Sequence, residues 1–162
     1  MFIRNAFLSD LDRLSDIESQ CYSPAEAASG EQIKERLKVY PNHFWLMTDD
    51  EKVVSFIDGL VTDLPDLTDE MYERADMHNE HGKWQMLLGV NTIPEYRSRG
   101  LASELIRHAA EDCIKQGRLG LVLTCKDRLL DYYSRLGFVS EGVSQSVHGN
   151  AKWYQMRLNL YK

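Results

Sequence analysis

The stretch Asn91-Thr92-Ile93-Pro94-Glu95-Tyr96-Arg97-Ser98-Arg99-Gly100-Leu101-Ala102 concentrates residue types that hold phosphate. A glycine with small neighbours at the start of a helix leaves main-chain N–H groups uncovered, and the helix dipole favours negative charge at that end. Arg97 and Arg99 add positive charge to a chain whose formal net charge is −6, so this basicity stands out locally. The chemistry such a loop supports is the cradling of a pyrophosphate. Taken alone, the pattern Arg-x-x-Gly-x-Ala is short enough to arise by chance in a solvated loop, and its weight comes from its position in the chain.

Two other groups of side chains could do chemistry. Asp63 to Glu80 carries seven acids (Asp63, Asp66, Asp69, Glu70, Glu73, Asp76, Glu80) against one base, Arg74. Clustered carboxylates raise the local concentration of a cationic amine, although a solvated acidic loop explains them equally well. His78 and His81 form a His-x-x-His pair, but with no supporting cysteine or third ligand no metal is expected.

The elements that must position these groups follow from periodicity. Phe2-Ile3-Arg4 reads as a short strand. Ser9 with Asp12 resembles a capping box for a first helix to about Gln20, with Leu11, Leu14, Ile17 and Cys21 on one face. After Tyr22-Ser23-Pro24, a second box of Ser29 and Gln32 opens a helix carrying Ile33, Leu37 and Tyr40. His43 to Met47 and Val53 to Val61 form an antiparallel hairpin around Asp49-Asp50-Glu51-Lys52, and Asp63 to Glu80 is a surface loop with a short helix. Trp84 to Val90 is a buried strand. The phosphate pattern follows it and opens an amphipathic helix with Leu101, Leu105, Ala109 and Ile114 inward. Leu119 to Cys125 is apolar enough for a central parallel strand. A helix from about Arg128 to Leu136 stops at Gly137, and strands at Phe138 to Ser144 and Lys152 to Leu160 turn at Gly149-Asn150. The expected product is one α+β domain over 1–162, with a mixed sheet of six or seven strands and helices on both faces.

Composition narrows the function classes. The chain has 162 residues, 43% apolar and 27% charged, with ten glycines and four prolines, as an ordinary folded soluble protein does. Twenty-five acids against nineteen bases disfavour nucleic acid as a partner, since that affinity comes from neutralising phosphates. No run approaches the roughly 18 apolar residues of a membrane span, and the start lacks a signal segment. Cys21, Cys113 and Cys125 are odd in number and widely spaced, which suits a reducing, cytoplasmic setting without disulfides.

Strand, phosphate loop, helix, apolar strand and then a helix ending Tyr132-Tyr133-Ser134-Arg135-Leu136-Gly137-Phe138 occur here in order. With those two motifs about 30 residues apart, the chain from Trp84 onward resembles the GNAT superfamily of acetyl-CoA-dependent N-acetyltransferases. Leu88-Gly89-Val90, Tyr133 to Phe138 and the turn Pro24 to Ser29 look like the non-vertebrate arylalkylamine N-acetyltransferases. One departure is plain: the two histidines that vertebrate members carry on the strand before the loop fall at Trp84 and Met86.

The resemblance implies a central pair of splayed parallel strands, with main-chain groups of Leu88, Gly89 and Val90 bonding the pantetheine arm and the acetyl carbonyl. It implies that N–H groups from Arg97 through Ser98, Arg99, Gly100 and Leu101 to Ala102, with Ser103 beside them, take the pyrophosphate. Tyr133 matches the general acid for the thiolate, a role suited to a phenol of pKa about 10. Thr124 would line the cofactor tunnel, and Cys125 would be inert core, because direct attack needs no acyl-enzyme. A primary ammonium, pKa about 10.4, needs a base. Glu26, His81, His78 and His148 are the candidates. The implied reaction is acetyl transfer from acetyl-CoA to a primary amine, a small arylalkylamine or polyamine, by a monomer or homodimer without a metal. Acetylation of a protein or peptide amine and a non-catalytic acetyl-CoA sensor are the alternatives.

Overall fold

The computed structural model describes residues 1–161. Strand β1 (Phe2–Arg4) leads into helix α1 (Leu11–Cys21) and helix α2 (Gly30–Val39), followed by the hairpin β2 (Phe44–Asp49) and β3 (Lys52–Asp58). Then come β4 (Val61–Thr62), the one-turn helix α3 (Glu70–Glu73), β5 (Trp84–Leu87) and β6 (Gly89–Thr92). Helix α4 (Leu101–Lys115), β7 (Gly120–Cys125), α5 (Leu130–Arg135), β8 (Val139–Val143) and β9 (Tyr154–Asn159) complete the chain. Among the described residues, no helix is long and apolar enough to cross a membrane.

Local chemistry explains most boundaries. Ser29 accepts from the Gln32 N–H while Gln32 accepts from the Ser29 N–H, the expected reciprocal cap of α2. The entry to α1 differs. A 3-10 turn over Leu8–Asp10 precedes it, and Asp10, not Ser9 with Asp12, secures the turn by accepting from the Phe7 N–H and pairing with Arg4. In α4 the buried stripe runs through Leu101, Leu105, Ala109 and Cys113 at intervals of four, leaving Ile114 half exposed, contrary to expectation.

The strands form two sheets, in the orders β1-β2-β3-β6 and β4-β5-β7-β9-β8. Six or seven strands were expected, and two of them divide. Val53 to Val61 breaks at Gly59, where a Cβ would stand 1.8 Å from the Met86 carbonyl oxygen, so only a glycine lets the chain cross so close. Trp84 to Val90 breaks at Leu88. Before the break, β5 runs parallel to β7 from Trp84↔Gly120 to Leu87↔Leu123, and after it β6 pairs with β3 from Asp58↔Gly89 to Ser55↔Thr92. Beyond Leu123, β7 keeps only β9, with Thr124↔Gln155 and Cys125↔Tyr154. A wedge therefore opens between β6 and the end of β7, as expected of the splayed pair.

Helices cover both faces. Trp45 donates to Asp112 of α4 at 2.8 Å, whereas its neighbour Phe44 stacks with Tyr40 at the end of α2. Side chains of one strand point alternately to opposite faces, so α4 lies on one side and α1 and α2 on the other. Gly89 and Asn91, opposite Asp58 and Phe56, therefore face α1 and α2. Segment 63–80 is less a surface loop than its acids suggest: Leu67, Met71 and Ala75 are buried.

Candidate active site

The wedge holds a cavity of about 210 Å³ walled by Leu88, Val90, Thr124, Cys125 and Tyr133. It opens on one side into a groove that passes Val90 and Tyr133 to Arg97, Ser98, Gly100, Leu101 and Ala102. On the other side it meets a narrower chamber, sharing Tyr22, Glu26, Leu88, Thr124 and Trp153 with it. A continuous passage thus runs from the start of α4, through the split between strands, to a polar chamber under α1 and α2.

At the groove end, Gly100 caps α4 with φ +78°, a left-handed conformation that glycine adopts without strain, with no side-chain cap hydrogen bond and open space around it. The first N–H groups of α4 have no partner within the helix, as a pyrophosphate site needs. Ser98 also has a positive φ, of 64°. Arg99 lies over the Tyr96 ring at 4.7 Å. Arg97 turns back, its Nε donating to the Thr92 carbonyl at 3.0 Å. Ser103 is buried, and its hydroxyl shares a hydrogen bond of 2.7 Å with Tyr132, so it ties α4 to α5 instead of facing the groove.

In the wedge, the Leu88 N–H donates to the Asp58 carbonyl at 2.7 Å and is committed to β3. The Val90 N–H donates to the Tyr22 phenol at 3.2 Å, and that phenol donates to the Val90 carbonyl at 3.0 Å. Tyr22 thus occupies the strand edge expected to pair with pantetheine. Tyr133 is buried, its ring edge-on to Tyr132 and Phe138, and burial lifts its phenol well above the ordinary value. It stays protonated and can donate to a developing thiolate. Burial also pushes the Cys125 thiol up to about 11, which suits an inert residue. Thr124 lines cavity and chamber and shares a hydrogen bond of 3.2 Å with the Tyr72 phenol.

The base candidates separate. Glu26 borders both cavity and chamber but is paired with Lys126 Nζ at 2.7 Å. His148 lines the chamber, stacks on Tyr72 and donates Nε2–H to the Glu26 carbonyl at 2.7 Å. His81 is a correction: it is exposed ahead of β5, at the end of that strand away from the wedge, and lines none of these spaces. His78 is also outside them, its Nε2 bonded to Glu80 at 2.9 Å. His43, His78 and Glu80 do come within metal-ligating reach of one another, a grouping the His-x-x-His spacing did not show. Yet Nδ1 of His78 accepts from the Val61 N–H, so Nε2 carries the proton and is no free ligand, and Arg118 already pairs with Glu80 at 3.2 Å.

The group that sequence reasoning missed is Glu18. Its side chain faces the chamber and is 4% exposed. One oxygen, Oε2, accepts from the Ala28 N–H at 2.9 Å, while Oε1 is buried with no partner. Burial first, then the charge of Asp58, push its carboxyl up to about 7. Nearby, Arg36 pairs with Asp58 Oδ2 at 3.2 Å and donates to the Tyr72 carbonyl, leaving Asp58 Oδ1 and the Asn91 amide buried and unpartnered. A Cβ on Gly89 would lie 2.8 Å from Asp58 Oδ1, 3.0 Å from Asn91 Nδ2 and 3.4 Å from Glu18 Oε1, so the two carboxylate oxygens and the Asn91 amide nitrogen converge over that glycine. The signal was present in α1: Glu18 stands four residues after Leu14 and three before Cys21, a carboxylate inside the apolar stripe.

No curated protein matches the sequence. Among solved structures, the loading GNATL domain of CurA from Lyngbya majuscula superposes with TM-score 0.84 at 18% identity, over 98% of this chain and 96% of that one. The GphF GNAT-like decarboxylase in complex with isobutyryl-CoA gives 0.85 at 20%, over 99% and 100%. The ribosomal-protein-S18-alanine N-acetyltransferase from Escherichia coli gives 0.75 at 16%, over 99% and 94%. These likenesses show a shared fold. The model of the acetyltransferase (GNAT) family matches residues 11–138, spanning the wedge, the phosphate loop and Tyr133. The chain belongs to the GNAT acetyltransferase family.

Proposed function

We propose that this chain moves the acetyl group of acetyl-CoA onto a small primary amine by direct attack, acting as one domain. The observation that carries this reading is the passage through the strand split: phosphate loop at one mouth, Tyr133 at the middle, acidic chamber at the other. The cofactor's pyrophosphate rests on the start of α4 and its thioester lies in the wedge beside Tyr133. The amine nitrogen attacks the thioester carbon from the chamber side, the C–N bond forms and the C–S bond breaks. Tyr133 passes its proton to the leaving sulfur and recovers one from the nitrogen.

A small acceptor is favoured because the chamber is roofed. Segment 144–153 is pinned by Ser146 and Val147 to Asp69, and by His148 to Glu26. Tyr72 and Trp153 wall the chamber, which suits an aryl or alkyl body behind the amine. Acetylation of a peptide amine is the second reading, favoured by the likeness to an enzyme that acts on a ribosomal protein. The test is free-thiol release from acetyl-CoA with tryptamine, tyramine, phenethylamine, spermidine, lysine and a lysine-containing peptide, alongside calorimetric binding of acetyl-CoA. Saturable turnover with an arylalkylamine supports the reading. Turnover with the peptide alone replaces it with the second, and binding without any turnover makes the chain a sensor.

A further inference from the structure

Glu18 and Arg36 line the chamber under α1 and α2, and Asp58, outside that lining, pairs with Arg36, so two buried carboxylates and one buried guanidinium lie together. Counted as ions, the trio is short by one positive charge, and the side chains are 4%, 1% and 3% exposed, so water cannot screen the deficit. Oε1 of Glu18 and Oδ1 of Asp58 make no hydrogen bond and converge over Gly89 with the Asn91 amide nitrogen, a neutral donor that adds no charge, next to the strand break where the thioester must sit. Such a cluster is completed by a proton or by a cation. An alkylammonium supplies both.

We propose that Glu18 is the general base of the reaction: it receives the acceptor's ammonium proton on Oε1, while Asp58 and Arg36 position it. The proposal rests on the acetyl-transfer reading above and adds the proton route. The ammonium enters the chamber and gives one proton to Glu18, leaving a neutral amine beside Leu88. That amine attacks, its second proton goes to the thiolate by way of Tyr133, and Glu18 releases the first to solvent. One proton leaves per turnover, as conversion of an ammonium to an amide and a thioester to a thiol requires. Burial pushes the Asp58 carboxyl up while its ion pair with Arg36 draws it back down, and the negative charge it carries raises the proton affinity of Glu18. Glu26 cannot serve in the same way while its carboxylate is held by Lys126.

The test compares wild type with Glu18→Gln, which keeps an oxygen to accept from the Ala28 N–H and is close to isosteric. With saturating acetyl-CoA and the best amine of the panel, wild-type kcat/KM rises with pH and levels off above about pH 7. The variant must select pre-existing neutral amine, so its rate falls by on the order of a hundredfold or more near neutrality. It then climbs tenfold per pH unit toward the amine's own pKa, with acetyl-CoA affinity unchanged by calorimetry. Parallel profiles, or a variant that keeps half the wild-type rate at pH 7, overturn the assignment. A folded variant that binds acetyl-CoA but is dead at every pH overturns it too, since Glu18 would then hold the acceptor instead of taking its proton. If wild type itself turns over no amine, the acetyl-transfer reading fails first, and the two failures are told apart.

Discussion

The Tyr22 phenol closes both main-chain polar groups of Val90, accepting from the N–H at 3.2 Å and donating to the carbonyl at 3.0 Å. Tyr22 follows directly on α1, and Val90 is the second residue of β6, so the phenol stands where a neighbouring strand, or an amide-bearing ligand, would pair. Cys21 and Arg97 cover the next position in the same way, both donating to the Thr92 carbonyl. The open edge of the wedge is self-satisfied, as a buried backbone edge must be.

Removing that phenol should therefore strengthen binding of acetyl-CoA. In Tyr22→Phe the Val90 groups lose their intramolecular partners and regain them only from the pantetheine arm. At about 1 kcal/mol for a hydrogen bond, the expected gain is roughly fivefold in Kd. Isothermal calorimetry decides it, and weaker binding would show that Tyr22 supports the bound state.

Tyr133→Phe tests the other end of the wedge. The substitution keeps the ring between Tyr132 and Phe138 and deletes the hydroxyl proposed to protonate the thiolate. A drop in kcat of about a hundredfold, with acetyl-CoA affinity held within twofold, is the expected result. An unchanged plateau rate would return Tyr133 to a packing role.

What could be read from residue order was whatever is built locally. The loop from Arg97 to Ala102, the Ser29–Gln32 cap and the Tyr133 to Phe138 helix end all depend on near neighbours in sequence. The break at Leu88 does not: it exists because β3 claims the Leu88 N–H while β7 claims β5, and those partners lie about 30 residues away on either side. The Glu18 cluster is hidden for the same reason, since its three charges come from α1, α2 and the end of β3. His81 misled because being close in sequence to β5 does not place a residue at the end of that strand that borders the wedge. Ile114 misled because an interval of five from Ala109 drifts off the stripe that intervals of four maintain.

Gly89 should tolerate no side chain. A Cβ there would stand 2.8 Å from Asp58 Oδ1 and 3.0 Å from Asn91 Nδ2, both in buried side chains that would have to shift. Gly89→Ala is expected to destabilise the fold by about 1 to 3 kcal/mol, as overpacking does. In the surviving enzyme it should also displace Asp58 from Glu18, moving the acidic limb of kcat/KM to lower pH because that charge raises the Glu18 carboxyl. Urea unfolding and the pH–rate profile give the two readouts. A limb that stays in place would mean that Asp58 does not act on Glu18.

Glu18 also makes stability depend on pH, without any substrate. Its carboxyl sits at 4.5 in a solvated chain and at about 7 in the fold, raised by burial and then by Asp58. Below pH 4.5 both states hold the proton and the contribution is fully present. As pH rises the unfolded chain gives up its proton first, and the contribution is gone once pH passes through about 7. The loss amounts to roughly 3 kcal/mol. His78 works in the opposite direction, because burial lowers its value and the fold gains as pH rises through the ordinary histidine range. The difference between wild type and Glu18→Gln cancels that background. Urea midpoints at pH 5 and pH 8 should show wild type losing about 2.5 kcal/mol relative to the variant, part of the loss having already occurred by pH 5. Equal changes in the two proteins would mean that Glu18 is already ionised in the fold at pH 5, and that the chamber's missing charge is supplied by something other than a proton on this residue.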